Sequence, residues 1–240
     1  MKKLLSFQIM KQTFKSTWIW WLVSIFVIAI NLFMFAAEAV DDGADILTVF
    51  AEEALAFNGV IFSTVLAILF ANILFTSEVE KGTISVTLCT PISRSKILYS
   101  KLVVYLLMLV SIPLIVGGLG AIAASGEIFD NGKWWTIIAL WVMYTLVISS
   151  ISFVFGCWFC KSRYALSASI VILGGFFFLN MLAQMNNFSF LQYATLQTLF
   201  DMSAVVGGKS VLWQIIVLPM IALPLFVIGV VKFLRKDLML

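Results

Sequence analysis

Long uncharged stretches alternate with short charged ones along this chain, and their lengths decide what it can be. Residues 18–37 form twenty consecutive positions without Asp, Glu, Lys or Arg, and further uncharged runs occupy 54–77, 102–126, 134–160, 164–200 and 210–231. About twenty apolar residues suffice for a helix to cross the hydrocarbon core of a bilayer. Each run is long enough for one crossing, and 164–200 is too long for one. Asn186, Asn187, Ser189 and Gln192 place the end of the fifth crossing near Met185. The remainder, to about Lys209, is then a surface loop or a shallow re-entrant piece. The pattern predicts six spans in one domain covering 1–240, at about 18–37, 56–77, 102–124, 134–159, 165–185 and 211–231.

Composition supports a lipid environment. The chain is 62% hydrophobic and 11% charged, against about 25% charged in soluble domains. The first run follows a Lys-rich start and precedes Ala37-Glu38-Ala39, which resembles a cleavage site. Its length exceeds the roughly 7–15 apolar residues of a signal peptide, so a retained span is expected. Ahead of it, Lys2, Lys3, Lys11 and Lys15 are interleaved with apolar residues. On a helical wheel Gln8, Lys11, Gln12 and Lys15 gather on one side and Phe7, Met10 and Phe14 on another. Residues 1–16 therefore read as an amphipathic interfacial helix lying flat in the headgroup layer, rather than as a plain basic flank.

Charge sets the orientation. The amino terminus, the segment after the second run, Lys161 with Arg163, and the carboxyl terminus together hold thirteen of the fifteen Lys and Arg. The alternate side holds Lys133 and Lys209 and nine of the twelve acids, six of them between Glu38 and Glu53. Lys and Arg accumulate on the cytoplasmic side, so both termini are expected there.

The spans carry no charge in their interiors. A charged residue at a helix centre costs roughly 2.5–3.5 kcal/mol on insertion scales and is usually functional where it occurs. Its absence argues against a proton-driven carrier, a voltage sensor or an intramembrane aspartyl protease. Asn180 and Gln184, four apart, share a face with Leu173 and Phe176. That stripe suits either a path for an amphipathic substrate or hydrogen bonding between helices. There is no histidine, which removes the commonest general base and metal ligand, and no metal site is expected. Cys157-Trp158-Phe159-Cys160 has the spacing of a redox dithiol but ends a hydrophobic helix, where small packing residues are the simpler reading. Gly208-Lys209-Ser210 lacks the first glycine of a phosphate loop. The basic residues are spread along a membrane face, so nucleic acid is not an expected partner.

Between the second and third runs lies the polar segment 78–96. Ser77 and Glu80 fit a capping box, and Thr90-Pro91 fits a helix start. Such a segment could be a structured docking element or an ordinary solvated loop. Glu78-Val79-Glu80-Lys81-Gly82-Thr83-Ile84, then Thr90-Pro91-Ile92-Ser93-Arg94, then Lys101, resembles the loop after the second span in type-2 ABC exporter permeases. The basic start resembles their elbow helix, and Phe233-Leu234-Arg235-Lys236-Asp237 resembles their carboxyl end. The resemblance implies an all-α membrane protein with six transmembrane helices, an amino-terminal elbow helix and cytoplasmic termini. It implies a permease of the bacterial cell membrane that is not itself an enzyme and moves a hydrophobic or amphipathic substrate, such as a peptide or drug, outward. A separate ABC ATP-binding subunit would supply ATP and Mg, and a second permease subunit would complete a homo- or heterodimer. Glu78, Glu80, Lys81, Gly82, Thr83 and Ile84 would couple to the ATPase, and Asn72, Phe176, Asn180 and Gln184 would line the substrate path. The competing readings are a non-transporting immunity or sensor subunit and a lipid-acting membrane enzyme.

Overall fold

The computed structural model describes residues 6–41, 46–50, 55, 58–82, 93–123, 132–183, 195–208 and 211–235. Six long helices account for most of them: α1 (Phe7–Asp41), α2 (Val60–Glu80), α3 (Arg94–Ala123), α4 (Gly132–Trp158), α5 (Ser162–Ala183) and α6 (Leu212–Arg235). No strand occurs among the described residues. All six helices are long and apolar enough to cross a membrane. Hydrocarbon offers a backbone no hydrogen-bond partners, so a spanning segment must satisfy its own N–H and C=O groups, as a helix does. The chain is an all-α membrane protein.

Contacts fix how the helices alternate. Ser6 N–H donates to Ser100 Oγ (2.9 Å), bringing the start of α1 beside the start of α3. Lys101 pairs with Glu78, and Ser162 N–H donates to Glu80 Oε2 (2.9 Å), bringing the starts of α3 and α5 to the end of α2. Lys232 Nζ lies 4.1 Å from the ring centre of Trp158, joining the ends of α6 and α4. One face of the bundle therefore gathers the starts of the odd helices and the ends of the even ones, and six crossings return the chain to it. We call this the charged face.

α4 is the central and most buried helix, in contact with α2, α3, α5 and α6. Its Trp134, Trp141, Tyr144, Val147 and Phe153 are buried. α1, α5 and α6 turn Phe26, Phe33, Val171 and Met220 outward. Lipid is as apolar as the core, so association rests on packing and on polar contacts between helices. The buried Tyr105 hydroxyl on α3 lies within hydrogen-bonding distance of Ala67 O on α2 (3.1 Å) and Ser149 O on α4 (3.0 Å). Trp141 Nε1–H donates to Ser63 Oγ (2.9 Å), tying α4 to α2 again.

The start of the chain differs from its expected division. Residues 7–41 form one unbroken helix of 35 residues, roughly 52 Å long at 1.5 Å per residue, so the expected interfacial helix and first span are continuous here. No glycine or proline precedes Gly43 to interrupt it. Ile9, Thr13 and Thr17, at helical spacing, are buried, and Thr17 Oγ lies 3.3 Å from Met108 Sδ on α3. That shared face continues through Ile28 and Leu32. Packing against α3 thus carries the helix through the polar residues near its start.

Ser77 and Glu80 do not begin a helix either. They are the last turn of α2, with no side-chain cap, because no breaker occurs until Gly82. Thr90-Pro91 lies outside the described residues, and α3 is described from Arg94. After α5, Leu196–Leu199 forms a 3₁₀ turn and Met202–Val206 a short helix at the end opposite the charged face. Phe200 packs on Tyr144 with ring centres 4.6 Å apart, and Lys133 Nζ donates to Val206 O (3.0 Å). Cys157 is buried on α4 whereas Cys160 is exposed beyond it.

The Tyr105 bridge gives a direct check on this packing. Tyr105→Phe removes one hydroxyl and should cost about 1 kcal/mol. Tyr105→Ala also leaves a cavity between three helices and should cost about 3–5 kcal/mol. Unfolding of the purified chain in detergent should separate the two; equal losses would contradict the central place given to the ring.

The charged end of the second helix as candidate functional site

The end of α2 from Asn72 onward is built differently from the rest of that helix. Asn72–Thr76 is π-helical, and Ser77–Glu80 resumes the α-helix before the chain turns at Lys81 and Gly82. Single π turns occur mostly inside longer helices and are frequent at functional sites. This one packs tightly. Phe75 sits edge-on to Tyr105 and Phe153, with ring centres 5.8 and 4.8 Å away. Thr76 Oγ–H donates to Gly156 O on α4 (2.9 Å). A Cβ added at Gly156 would lie 3.2 Å from Ala71 O, so glycine is what allows the two backbones to approach.

Two carboxylates follow, and each reaches a different helix. Glu78 pairs with Lys101, whose Nζ also donates to Leu74 O (3.2 Å) inside the π turn. Lys101 is only 4% exposed. An ammonium shut away from water is costly unless it is paired and hydrogen-bonded, and these two acceptors supply that. Glu80 is exposed, and its Oε2 accepts from Ser162 N–H at the first residue of α5. A helix start has unpaired N–H groups and partial positive charge, so a carboxylate is well placed there. The tail of α2 is thereby joined to α3 through Glu78, to α5 through Glu80 and to α4 through Thr76.

Lys81 and Gly82 extend this tail into the open. Gly82 has φ +68° and no atom within 4 Å of an added Cβ, so the left-handed turn, not crowding, favours glycine. Thr83 and Ile84 lie outside the described residues. Lys101 enters the site from burial rather than from the polar segment: Ile97, Leu98, Lys101, Val104, Tyr105 and Met108 are all buried on one face of α3. That spacing of three and four is readable in the sequence and places the lysine on the core side.

The residues expected along a substrate path are placed less simply. Asn72 belongs to the π turn, and its Oδ1 is buried without a hydrogen-bond partner among the described residues. Phe176 and Asn180 lie half-buried on α5, and Gln184 falls outside the described residues. Glu80 and Ser162 are level with one another, so positions along α2 and α5 can be compared. Asn72 lies eight residues from that level and Asn180 eighteen, a separation of roughly 15 Å along the axes. Within one chain Asn72 and Asn180 therefore do not meet. An apolar groove of about 320 Å³ does run between the two helices, lined by Ile61, Thr64, Val65, Ile68, Ile170, Leu173, Gly174 and Phe177. Among the described residues no three His, Cys, Asp or Glu side chains come together as a metal ion would require.

Residues 9–178 match a family described as ABC-2 family transporter protein. Comparison with curated proteins gives no match. The matched region runs from α1 into α5 and contains every contact of the charged end described above.

The site's two glycines separate close approach from backbone conformation. Gly82→Ala should cost about 1–2 kcal/mol through its left-handed φ, and Gly82→Asn less, since Asn tolerates that region. Gly156→Leu should cost more than either by forcing α2 from α4, at about 1–3 kcal/mol or above for overpacking. Thermal unfolding of the three variants checks the order; a Gly156→Leu chain as stable as wild type would contradict the close approach.

Proposed function

Since the chain belongs to the ABC-2 family of transporter proteins, we propose that it is the permease subunit of an ATP-driven exporter, worked by a separate ATP-binding subunit that docks at the charged end of α2. The observation that carries this reading is the double anchoring of that end, through Glu78 to Lys101 and through Glu80 to Ser162. A force on Lys81 and Gly82 then bears on α2, α3 and α5 together instead of bending a loose loop. Thr83 and Ile84 continue the docking segment. The partner binds ATP and Mg and performs the hydrolysis, and this chain converts the resulting displacement into movement of its helices.

Charge supports the side on which this happens. In the sequence, the segments around the start of α1, after α2, after α4 and at the end of α6 together hold thirteen of the fifteen Lys and Arg, as expected of cytoplasmic segments of a membrane protein. The direction of transport is outward. The substrate is hydrophobic or amphipathic, a peptide or drug being the natural class, because the central stretches of the spans offer neutral polar groups rather than charges. Asn72 and Asn180 lie at different levels in one chain, so the path, with Phe176 and Gln184, is shared with a second permease subunit whose α2 and α5 face these. The groove between α2 and α5 lies where that subunit would sit.

Reconstitution with the ATP-binding partner in vesicles tests this reading. Glu80→Arg removes the acceptor for Ser162 N–H and places a cation at the start of α5. It should leave ATP hydrolysis within about two-fold of wild type and lower efflux of amphipathic peptides or dyes at least about ten-fold, the equivalent of 1.4 kcal/mol. Efflux at the wild-type rate would contradict the assignment of this segment.

A further inference from the structure

A second groove, of about 520 Å³, lies between α1 and α3, with no residue of α2 in its lining. Its walls are Phe7, Met10, Phe14, Val104, Leu107 and Met108, with Trp21 and Ser111 at the end farther from the charged face and Lys11 near the other end. It opens outward from the bundle: Phe7 is 79% exposed and Leu107 60%. The Trp21 indole N–H is already directed at Ser111 Oγ (2.9 Å) and Met108 O (3.2 Å). Among the described residues that leaves Lys11 as the one charged group in a mostly apolar lining.

Position and charge both point to the occupant. α1 and α3 run parallel here, from the Ser6–Ser100 contact to the Trp21–Ser111 contact. The fourteen helical steps from Phe7 to Trp21 cover roughly 21 Å, enough for the roughly 15 Å of hydrocarbon in one leaflet and part of its headgroup layer. The groove thus faces the leaflet on the side of the chain's first residues. No acid occurs in the sequence before Glu38, and none between Arg94 and Glu127, so neither wall carries a carboxylate to neutralise Lys11. Lys15 follows one turn along α1, and Arg94 and Lys96 lie near the start of α3. A two-fold contact with a second copy through this surface would set these cations against their own equivalents. A molecule with an apolar tail and a negative head has the complementary charge.

We propose that this groove binds an anionic phospholipid, with one acyl chain along Phe14, Val104, Leu107 and Met108 and the phosphate at the Lys11 ammonium. A long lysine stem can lie along the apolar wall while its charge stays at headgroup level. The site is separate from the docking segment and does not depend on the transport reading.

Native mass spectrometry of the full-length, delipidated chain tests the site, with phosphatidylglycerol and phosphatidylcholine as the two probes. The first phosphatidylglycerol should bind at least about five-fold tighter than phosphatidylcholine, the scale of one basic residue near an anionic membrane surface. Lys11→Gln should remove that preference and Lys11→Glu should reverse it, while Lys232→Gln at the far end of the chain leaves it intact. Leu107→Trp, which fills the groove, should weaken the first binding of both lipids. Equal wild-type binding of the two lipids, or a preference that survives Lys11→Glu, overturns the proposal. So does disulfide crosslinking of Leu107→Cys between two copies in excess phosphatidylglycerol, because the groove would then be a contact between chains.

Discussion

The Lys101 ammonium lies inside a helical bundle with little water to solvate it, held by the Glu78 carboxylate and by the Leu74 carbonyl. Removing either acceptor would leave a buried cation short of partners, at a cost of several kcal/mol. The contact therefore constrains more than its two residues. It holds the end of α2 against the start of α3, and it requires Leu74 O to face α3 from within a π turn. That same turn presents Thr76 to Gly156 and Phe75 to Tyr105 and Phe153. The packing of α2 on α3 and α4 near the charged face thus hangs together around one ion pair.

Elsewhere the bundle is held by packing and by scattered hydrogen bonds, as befits helices that gain nothing from hiding apolar surface in an apolar solvent. α4 is enclosed by its neighbours, whereas α1, α5 and α6 show large apolar side chains to the outside. Among these contacts, those at the tail of α2 tie one helix end to three neighbours, to α3 through Glu78, to α4 through Thr76 and to α5 through Glu80. In the proposed exporter, that tail is where a partner's work enters, and the contacts determine which helices receive it. The lipid groove is lined by α1 and α3 alone and answers to the membrane instead.

Six spans were legible because an uncharged run of twenty residues has few other uses. The boundaries were less so. The polar residues near the start of α1 looked like a separate interfacial piece, yet the buried face through Ile9, Thr13 and Thr17 makes them part of a longer helix. Glu78 and Glu80 were readable as the acids that follow the second apolar run. Their being the last turn of α2 was not, because a charged stretch and a helix end look alike until the partners across space are known. Lys101 could have been found from the spacing of its apolar neighbours, but Ser162 could not, since only folding brings residue 162 to Glu80. The separation of Asn72 from Asn180 was likewise hidden, because helix faces say nothing about how far one helix is shifted along another.

The most direct test of the central contact is a double-mutant cycle at Glu78 and Lys101, measured as unfolding free energy of the purified chain in detergent. Glu78→Leu and Lys101→Met should each cost about 3 kcal/mol, the lower end for breaking a buried pair, because the carboxylate is partly open to the charged face. The double variant should recover at least about 2 kcal/mol of their sum, since it removes both charges at once. Losses that simply add, within the roughly 0.5 kcal/mol expected of independent sites, would contradict the account.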